Sequence, residues 1–320
     1  MTRVVGVETC ADCHEEMFDA WNKSAHAKSF EELIERPNAA EMAAVLKMDR
    51  AQIPVTASCV RCHYTQEFLA SVPQTTAAVS CESCHGPAID WIEEHNRKSL
   101  SRSARVETGT KMGMLHPENI HLSSKACYEC HVIDDEQLVN MAGHPAISDG
   151  FEILSWYSGE VKHNFLVNDG GARKSHSKVM QAIPMARQRM LFLNGKLLHL
   201  GYTLKAIASS QDPPVDKDGN FIRLSTGRYT YSVQHTIELK RLKEDIRMIL
   251  KVVSVPQFTD ALAIVRGLSL ETGNSQEFEA ASESIMRFSA NFCEENDGSD
   301  LGGVDSMIAN LKPRFSKSEE

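Results

Sequence analysis

The chain has 320 residues, with 43 acidic and 34 basic side chains and a formal net charge of −9. This length accommodates about two domains with sizeable cores. The acidic balance disfavours nucleic acid as a partner and favours a basic docking face on a partner protein. No run of about 18 or more apolar residues occurs, so no membrane-spanning segment is predicted.

The pattern Cys-x-x-Cys-His occurs four times in the first 131 residues. Each copy is the attachment signature of a c-type haem, in which two thiols bond to the haem vinyl groups and the following His binds the iron. The cysteines could also be interpreted as zinc ribbons, redox dithiols or a disulfide scaffold, but none of these interpretations explains the four histidines. The motifs predict four covalently bound haem c groups, attached through Cys10, Cys13, Cys59, Cys62, Cys81, Cys84, Cys127 and Cys130 and bound by His14, His63, His85 and His131.

The sequence changes character near residues 165–177. Short polar loops and eleven of the 13 histidines lie before residue 178, whereas regular helical patterns follow. The turn-forming run Asn-Asp-Gly-Gly at 168–171 separates the two parts. We therefore predict a mainly α protein, with a tetrahaem domain of short helices and loops at residues 1–168 and an antiparallel helical bundle at residues 169–320.

Apolar residues recur at steps of three and four along the C-terminal part, which places one apolar stripe on each of four helices. The stretches are 183–207, 239–253, 258–268 and 278–292, and a last helix is predicted at 301–311. A bundle core is the favoured interpretation, with oligomerisation or docking through the same helices as the alternative. Cys293, the ninth cysteine, is interpreted as a buried thiol, with an intersubunit disulfide as the alternative.

The histidines between the motifs are candidates for the second axial ligand of each iron. Residues 15–34 have the pattern of a helix, on which His26 lies about 18 Å beyond His14 at ~1.5 Å per residue. Only two metal–ligand bonds separate the two axial nitrogens of one iron, so His26 is expected to bind the iron of another motif. The same argument applies to His95, ten residues after His85. When a His near one motif binds the iron of another motif, the two haems lie close together, as electron hopping requires.

Two parts of the sequence resemble the cytochrome c554 family beyond the haem motifs themselves. The first is Thr9–His14 with Trp21–Lys28, and the second is Cys81–Pro87 followed by His95. The resemblance covers about residues 6–135. It implies a tetrahaem fold of short helices and loops, haems in stacked pairs and a role in electron transfer.

The resemblance also implies particular distal ligands. His26 would bind the third haem and His95 the fourth, and a His shortly before the last motif would bind the first. His121 matches that position best, with His116 as its competitor.

The second haem, at His63, is the open site. In a nitrifier member of the family this haem lacks a strong distal ligand and keeps an exchangeable iron position. Here His144 is the favoured ligand, and its alternative role is to stabilise a turn. His163 is interpreted as structural, and Met112 and Met114 are not favoured as ligands.

Three functions remain open from the sequence. The favoured one is a relay of single electrons between a donor and an acceptor redox protein, through closely packed, mostly bis-His haems. The first alternative is a haem enzyme that reduces nitric oxide, nitrite or hydroxylamine at an open second haem, although no Cys-x-x-Cys-Lys variant occurs. The second alternative is a haem-bearing subunit of an oligomer or filament. An enzymatic role is left undecided, with an electron carrier favoured.

Covalent haem attachment takes place outside the cytoplasm, so a periplasmic or extracellular location is expected. No basic-then-apolar leader precedes Thr9. We interpret this as the removal of an export signal from the chain.

Overall fold

The computed structural model of the chain describes residues 4–69, 72–148, 150–161, 183–269 and 274–314. These residues form 16 α-helices and one small two-stranded sheet. The predicted mainly α class is confirmed. Among the described residues, no helix is both long enough and apolar enough to cross a membrane.

Short helices separated by turns make up most of the first 161 residues. They are Val7–Ala11, Glu15–Asn22, Ala25–Glu35, Pro37–Val45, Ala57–His63, Cys81–His85, Ile92–His95, Arg102–Lys111, Ile120–His131, Glu136–Asn140 and Ile153–Ser158. A 3-10 helix covers Arg50–Val55, and the antiparallel strands are Thr65–Leu69 and Val72–Ala77. The motifs are thus carried by helices of one to three turns.

Side-chain caps determine where some of these helices begin. Ser24 accepts a hydrogen bond from the N–H of Ala27 at 3.3 Å, and the helix Ala25–Glu35 starts directly after it. Ser80 caps the third motif through the N–H of Glu82, also at 3.3 Å. A side-chain oxygen at this position satisfies an N–H group that has no partner within the helix. The start of the third motif is therefore encoded locally.

Longer helices form the C-terminal part. They are Met185–Ser209, Tyr231–Ile249, Pro256–Gly267, Ser275–Glu295 and Asp305–Ala309, with a 3-10 turn at Gly302–Val304. The apolar stripes are buried within the chain, since Leu197, Leu242, Ile246 and Ile285 are 0% exposed. The four predicted long helices are present, and the predicted helix at 301–311 is reduced to the 3-10 turn and one short helix.

The chain divides into two compact units. One comprises Met1–Ser123, Trp156–Ile183 and Pro313–Glu320, and the other comprises Ser124–Ser155 and Pro184–Lys312. This division does not coincide with the predicted boundary at residue 168, because the fourth motif packs in the same unit as the C-terminal helices. The predicted turn at 168–171 lies outside the described residues. Independent folding of residues 1–168 and 169–320 stays a prediction.

Candidate haem sites

All four motifs adopt helical turns. The second, third and fourth motifs end helices at His63, His85 and His131. In the first motif the N–H of His14 donates to the carbonyl of Cys10 at 2.9 Å, which continues the turn. Residues three and four positions apart lie on the same side of a helix. Each motif therefore presents two thiols and one imidazole on one face, as attachment of a single haem requires.

The eight motif cysteines are all at least partly accessible to solvent. Cys13 and Cys84 are exposed, and the other six are half-buried. None of the eight thiols is fully buried in the chain, so space next to each motif is left for a bonded haem.

The ring of His85 is oriented by a backbone carbonyl. Its Nδ1 lies 3.2 Å from the carbonyl oxygen of Leu115, and the Nδ1 of His95 contacts the carbonyl of Ile92 in the same way. A carbonyl oxygen only accepts, so Nδ1 carries the proton and Nε2 keeps the lone pair that binds a metal. Such contacts to the second nitrogen are typical of metal-binding histidines.

His144 shares this arrangement, whereas His131 contacts a hydroxyl group that can either donate or accept. The Nδ1 of His144 lies 2.8 Å from the carbonyl oxygen of Pro145, and the Nδ1 of His131 lies 2.9 Å from the hydroxyl oxygen of Ser148. Burial lowers the pKa of His144, with the contact to Pro145 opposing the shift. A neutral ring with Nε2 available fits the role of an iron ligand.

His116 has the opposite arrangement. Its Nδ1 accepts a hydrogen bond from the N–H of Glu118 at 3.3 Å, so in the neutral ring the proton is on Nε2. His121 is half-buried on the helix Ile120–His131, about 15 Å from His131 along the helix axis. The choice between His121 and His116 as an iron ligand stays a prediction.

The first and third motifs lie together. The ring centroids of His14 and His95 are 6.3 Å apart, with an angle of 34° between the rings. Burial lowers the pKa of His14, and the neighbouring His95 and His85 lower it further. A hydrogen bond with Cys81, together with burial, raises the pKa of Cys10. Thiols and imidazoles from the two motifs are thus close neighbours.

The distance between His14 and His95 fits two axial ligands on one iron. A metal–nitrogen bond to His is about 2 Å long, and the ring centre lies about 1 Å beyond the nitrogen, so opposed rings have centres about 6 Å apart. The resemblance implied that His95 binds the fourth haem. Its position beside His14 makes the first haem an alternative, and which iron His95 binds stays a prediction.

The second motif is linked to the helix that carries His26. The hydroxyl of Ser29 lies 2.8 Å from the carbonyl oxygen of His26 and 2.8 Å from that of His63. Burial lowers the pKa of His26, and the carboxylate of Glu160 opposes this shift. The same carboxylate accepts from the N–H of Ala25. His26 is therefore held at the start of its helix beside the second motif.

The fourth motif packs against the long helix Met185–Ser209. Tyr128, between its cysteines, is 2% exposed and stacks on Tyr202 with ring centroids 6.2 Å apart. The hydroxyl of Tyr202 donates to the carboxylate of Glu129 at 3.2 Å. The ring of His131 stacks on Phe151 at 4.1 Å. Sequence reasoning missed these contacts, although a tyrosine inside a haem motif and another within a predicted long helix were the available signals.

Three other residues that the sequence singled out are not placed as iron ligands. Met114 is buried against Ala88 and Trp91. Cys293 is half-buried, and burial raises its thiol pKa to about 12. His163 lies outside the described residues.

Helical Cys-x-x-Cys-His motifs, together with imidazoles whose Nδ1 is held by an oxygen, define the sites of a c-type cytochrome. Residues 9–86 match the sequence model of the family described as Cytochrome c554 and c-prime. A curated relative, Cytochrome c-554 of Nitrosomonas europaea, is 31% identical over 144 residues, which cover 40% of this chain and 57% of the relative. The chain thus spans little more than half of that relative. No solved structure matches the chain significantly. The predicted resemblance of the N-terminal part to this family is confirmed.

Proposed function

We propose that the protein is a tetrahaem c-type cytochrome that relays single electrons between redox partner proteins outside the cytoplasm. The observation that carries this proposal is the distance of 6.3 Å between the rings of His14 and His95, beside His85 of another motif. Imidazoles shared between motifs require closely packed haems. Close packing permits fast electron transfer between irons.

Haem c, when bound, supplies a redox-active iron. The chain attaches it through the four cysteine pairs and binds it through the motif histidines. The carbonyl oxygens of Leu115 and Ile92 orient the rings of His85 and His95. We propose His95 as the distal ligand opposite His14, with His26, His121 and His144 as the distal ligands of the other three haems.

The location and partners follow from the same proposal. Enzymatic haem attachment places such a protein in the periplasm or outside the cell. The formal net charge of −9 favours redox partners with a basic docking face. A donor and an acceptor are needed, because the chain itself only passes electrons on.

Self-association through the C-terminal helices is the remaining part of the proposal. Ile237 and Met248 are 39% and 49% exposed, and their spacing of eleven residues places them on one side of the helix Tyr231–Ile249. The buried stripes are used within the chain, so only such outward side chains are available for a second copy. Light scattering on the full chain tests this, and the mass of a single chain would contradict it.

Two measurements on the oxidised, purified protein test the main proposal. A pyridine haemochrome assay is expected to give four haems per chain, and electron paramagnetic resonance is expected to show low-spin ferric haem at each site with two axial His ligands. Fewer than four haems would contradict the tetrahaem proposal. A high-spin haem that shifts on addition of nitric oxide would favour the alternative of a reducing enzyme at the second haem.

A further inference from the structure

Glu82, between the two cysteines of the third motif, has a buried carboxylate and is 4% exposed. Its Oε1 accepts from the N–H of Ala88 at 2.7 Å and from that of Val5 at 3.0 Å, and its Oε2 accepts from the N–H of Gly6 at 3.0 Å. In the part of the chain that the structure describes, no Lys or Arg side chain lies within ion-pair distance of it. Backbone N–H groups therefore surround a carboxylate that no Lys or Arg among the described residues neutralises.

The three N–H donors flank two different motifs. Val5 and Gly6 directly precede the helix Val7–Ala11 of the first motif, whereas Ala88 follows the third motif. The side chains of Cys10 and Cys81, the first cysteines of the two motifs, are also neighbours. Hydrogen bonds to a charged acceptor are stronger than those to a neutral one. The carboxylate of Glu82 thus links the segment before the first motif to the third motif by hydrogen bonds.

A buried negative charge also affects the iron electrostatically. Oxidation adds one positive charge to a haem, and a nearby anion stabilises that charge most where water does not screen it. Glu8, on the helix of the first motif, also carries a carboxylate, but it is exposed to solvent. Solvent screens the charge of Glu8 and leaves that of Glu82 effective.

We propose that Glu82 is a positioning residue for the haems of the first and third motifs, and that its buried charge lowers the reduction potentials of these two haems. The proposal rests on the tetrahaem function described above. It assigns to one residue of the third motif a role in a second motif, more than 70 residues earlier in the chain.

The test compares Glu82→Gln with the wild-type holoprotein by spectroelectrochemical titration. We expect two of the four potentials to rise, so that the ratio of reduced to oxidised haem at a fixed potential increases roughly 15-fold, the order given by one unit charge at ~10 Å and an effective dielectric constant near 20. Amide hydrogen exchange at Val5 and Gly6 is expected to accelerate. Unchanged potentials, or an equal shift of all four, would overturn the proposal.

Glu8→Gln is the matched control, because it removes the same charge from an exposed position in the neighbouring segment. It is expected to change the ratio less than about twofold and to leave amide exchange at Val5 unchanged. If Glu82→Gln does not assemble, Glu82→Asp keeps the charge, and potentials close to wild type support the proposal while a rise in the two potentials contradicts it. A wild-type protein without four haems would instead contradict the proposed function.

Discussion

At the scale of single residues, the partner of Nδ1 affects which ring nitrogen of a histidine keeps a lone pair. His85 and His95 direct Nδ1 to carbonyl oxygens, whereas His116 accepts from the N–H of Glu118. The first arrangement leaves the lone pair on Nε2, and the second places the proton there. Histidines that look equivalent in the sequence therefore differ in the hydrogen bond that their Nδ1 makes.

The pairing of His14 with His95 leads to a direct prediction. In His95→Ala, one haem loses its distal ligand and changes from low-spin to high-spin, as measured by electron paramagnetic resonance of the oxidised protein. The affected haem is expected to be the one attached at Cys10 and Cys13, identified by its nuclear Overhauser contacts to the cysteine side chains. The reason is the ring distance of 6.3 Å between His14 and His95.

His116→Ala is the control for this substitution and is expected to leave all low-spin signals in place. A high-spin haem at Cys127 and Cys130 in His95→Ala would restore the pairing that the family resemblance implied.

At the scale of elements, the helix Met185–Ser209 does more than fill a bundle. It brings Tyr202 and His199 against Tyr128, with ring centroids 6.2 and 5.5 Å away. Gly195 lies on the same helix, where an added Cβ would be 2.5 Å from Cγ2 of Ile153 and 3.1 Å from the hydroxyl of Tyr128. The helix approaches the fourth motif closely because this position has no side chain.

Two glycines of this helix provide a matched pair of substitutions. Gly195→Ala is expected to lower the free energy of unfolding by about 1–2 kcal/mol, because overpacking against the stiff side chain of Ile153 outweighs the ~1 kcal/mol gained from helix propensity. Gly201→Ala meets only the flexible end of Met286 at 2.9 Å, so it is expected to be neutral or slightly stabilising.

The measurement for this pair is the urea midpoint of the C-terminal helices, followed by far-ultraviolet circular dichroism. Equal midpoints for Gly195→Ala and Gly201→Ala would contradict this prediction. They would show that the side chains of Ile153 and Tyr128 shift to accommodate the added methyl group with no loss in the free energy of unfolding.

On the scale of the whole molecule, the fourth motif belongs with the C-terminal helices. Ser124–Ser155 and Pro184–Lys312 form one compact unit, and its core includes Tyr128 together with residues of the long helices. The predicted bundle is therefore also part of the surroundings of a predicted haem. A role confined to docking or oligomerisation does not account for this packing.

Truncation tests this dependence. A chain that ends at residue 170 lacks the helix that covers Tyr128, so the fourth haem is expected to become accessible to ligands while the other three stay protected. Carbon monoxide binding to the reduced protein, followed by absorption spectroscopy, should rise by about one haem per chain relative to the full-length protein. Equal binding in the two chains would contradict a structural role of the C-terminal helices at the fourth motif.

Some features of the protein could be predicted from the sequence, and others could not. The haem motifs need only five consecutive residues in one helical turn, and the long helices need only their own apolar spacing, so both could be identified along the chain. The pairing of His14 with His95 could not, because it joins residues 81 positions apart. Spacing likewise does not encode the hydrogen bond from the N–H of Glu118 to His116, and the choice between His116 and His121 stays a prediction.

The sequence by itself determined the chemistry of this protein: four thiol pairs with their histidines, a mainly helical chain and a surplus of negative charge. Only the tertiary structure decided the arrangement: which imidazole faces His14, which backbone groups surround Glu82, and which helix covers Tyr128. The physical reason is that covalent attachment and helix formation depend on near neighbours in the chain. Ligand pairing, burial of charge and packing depend on groups that only folding brings together.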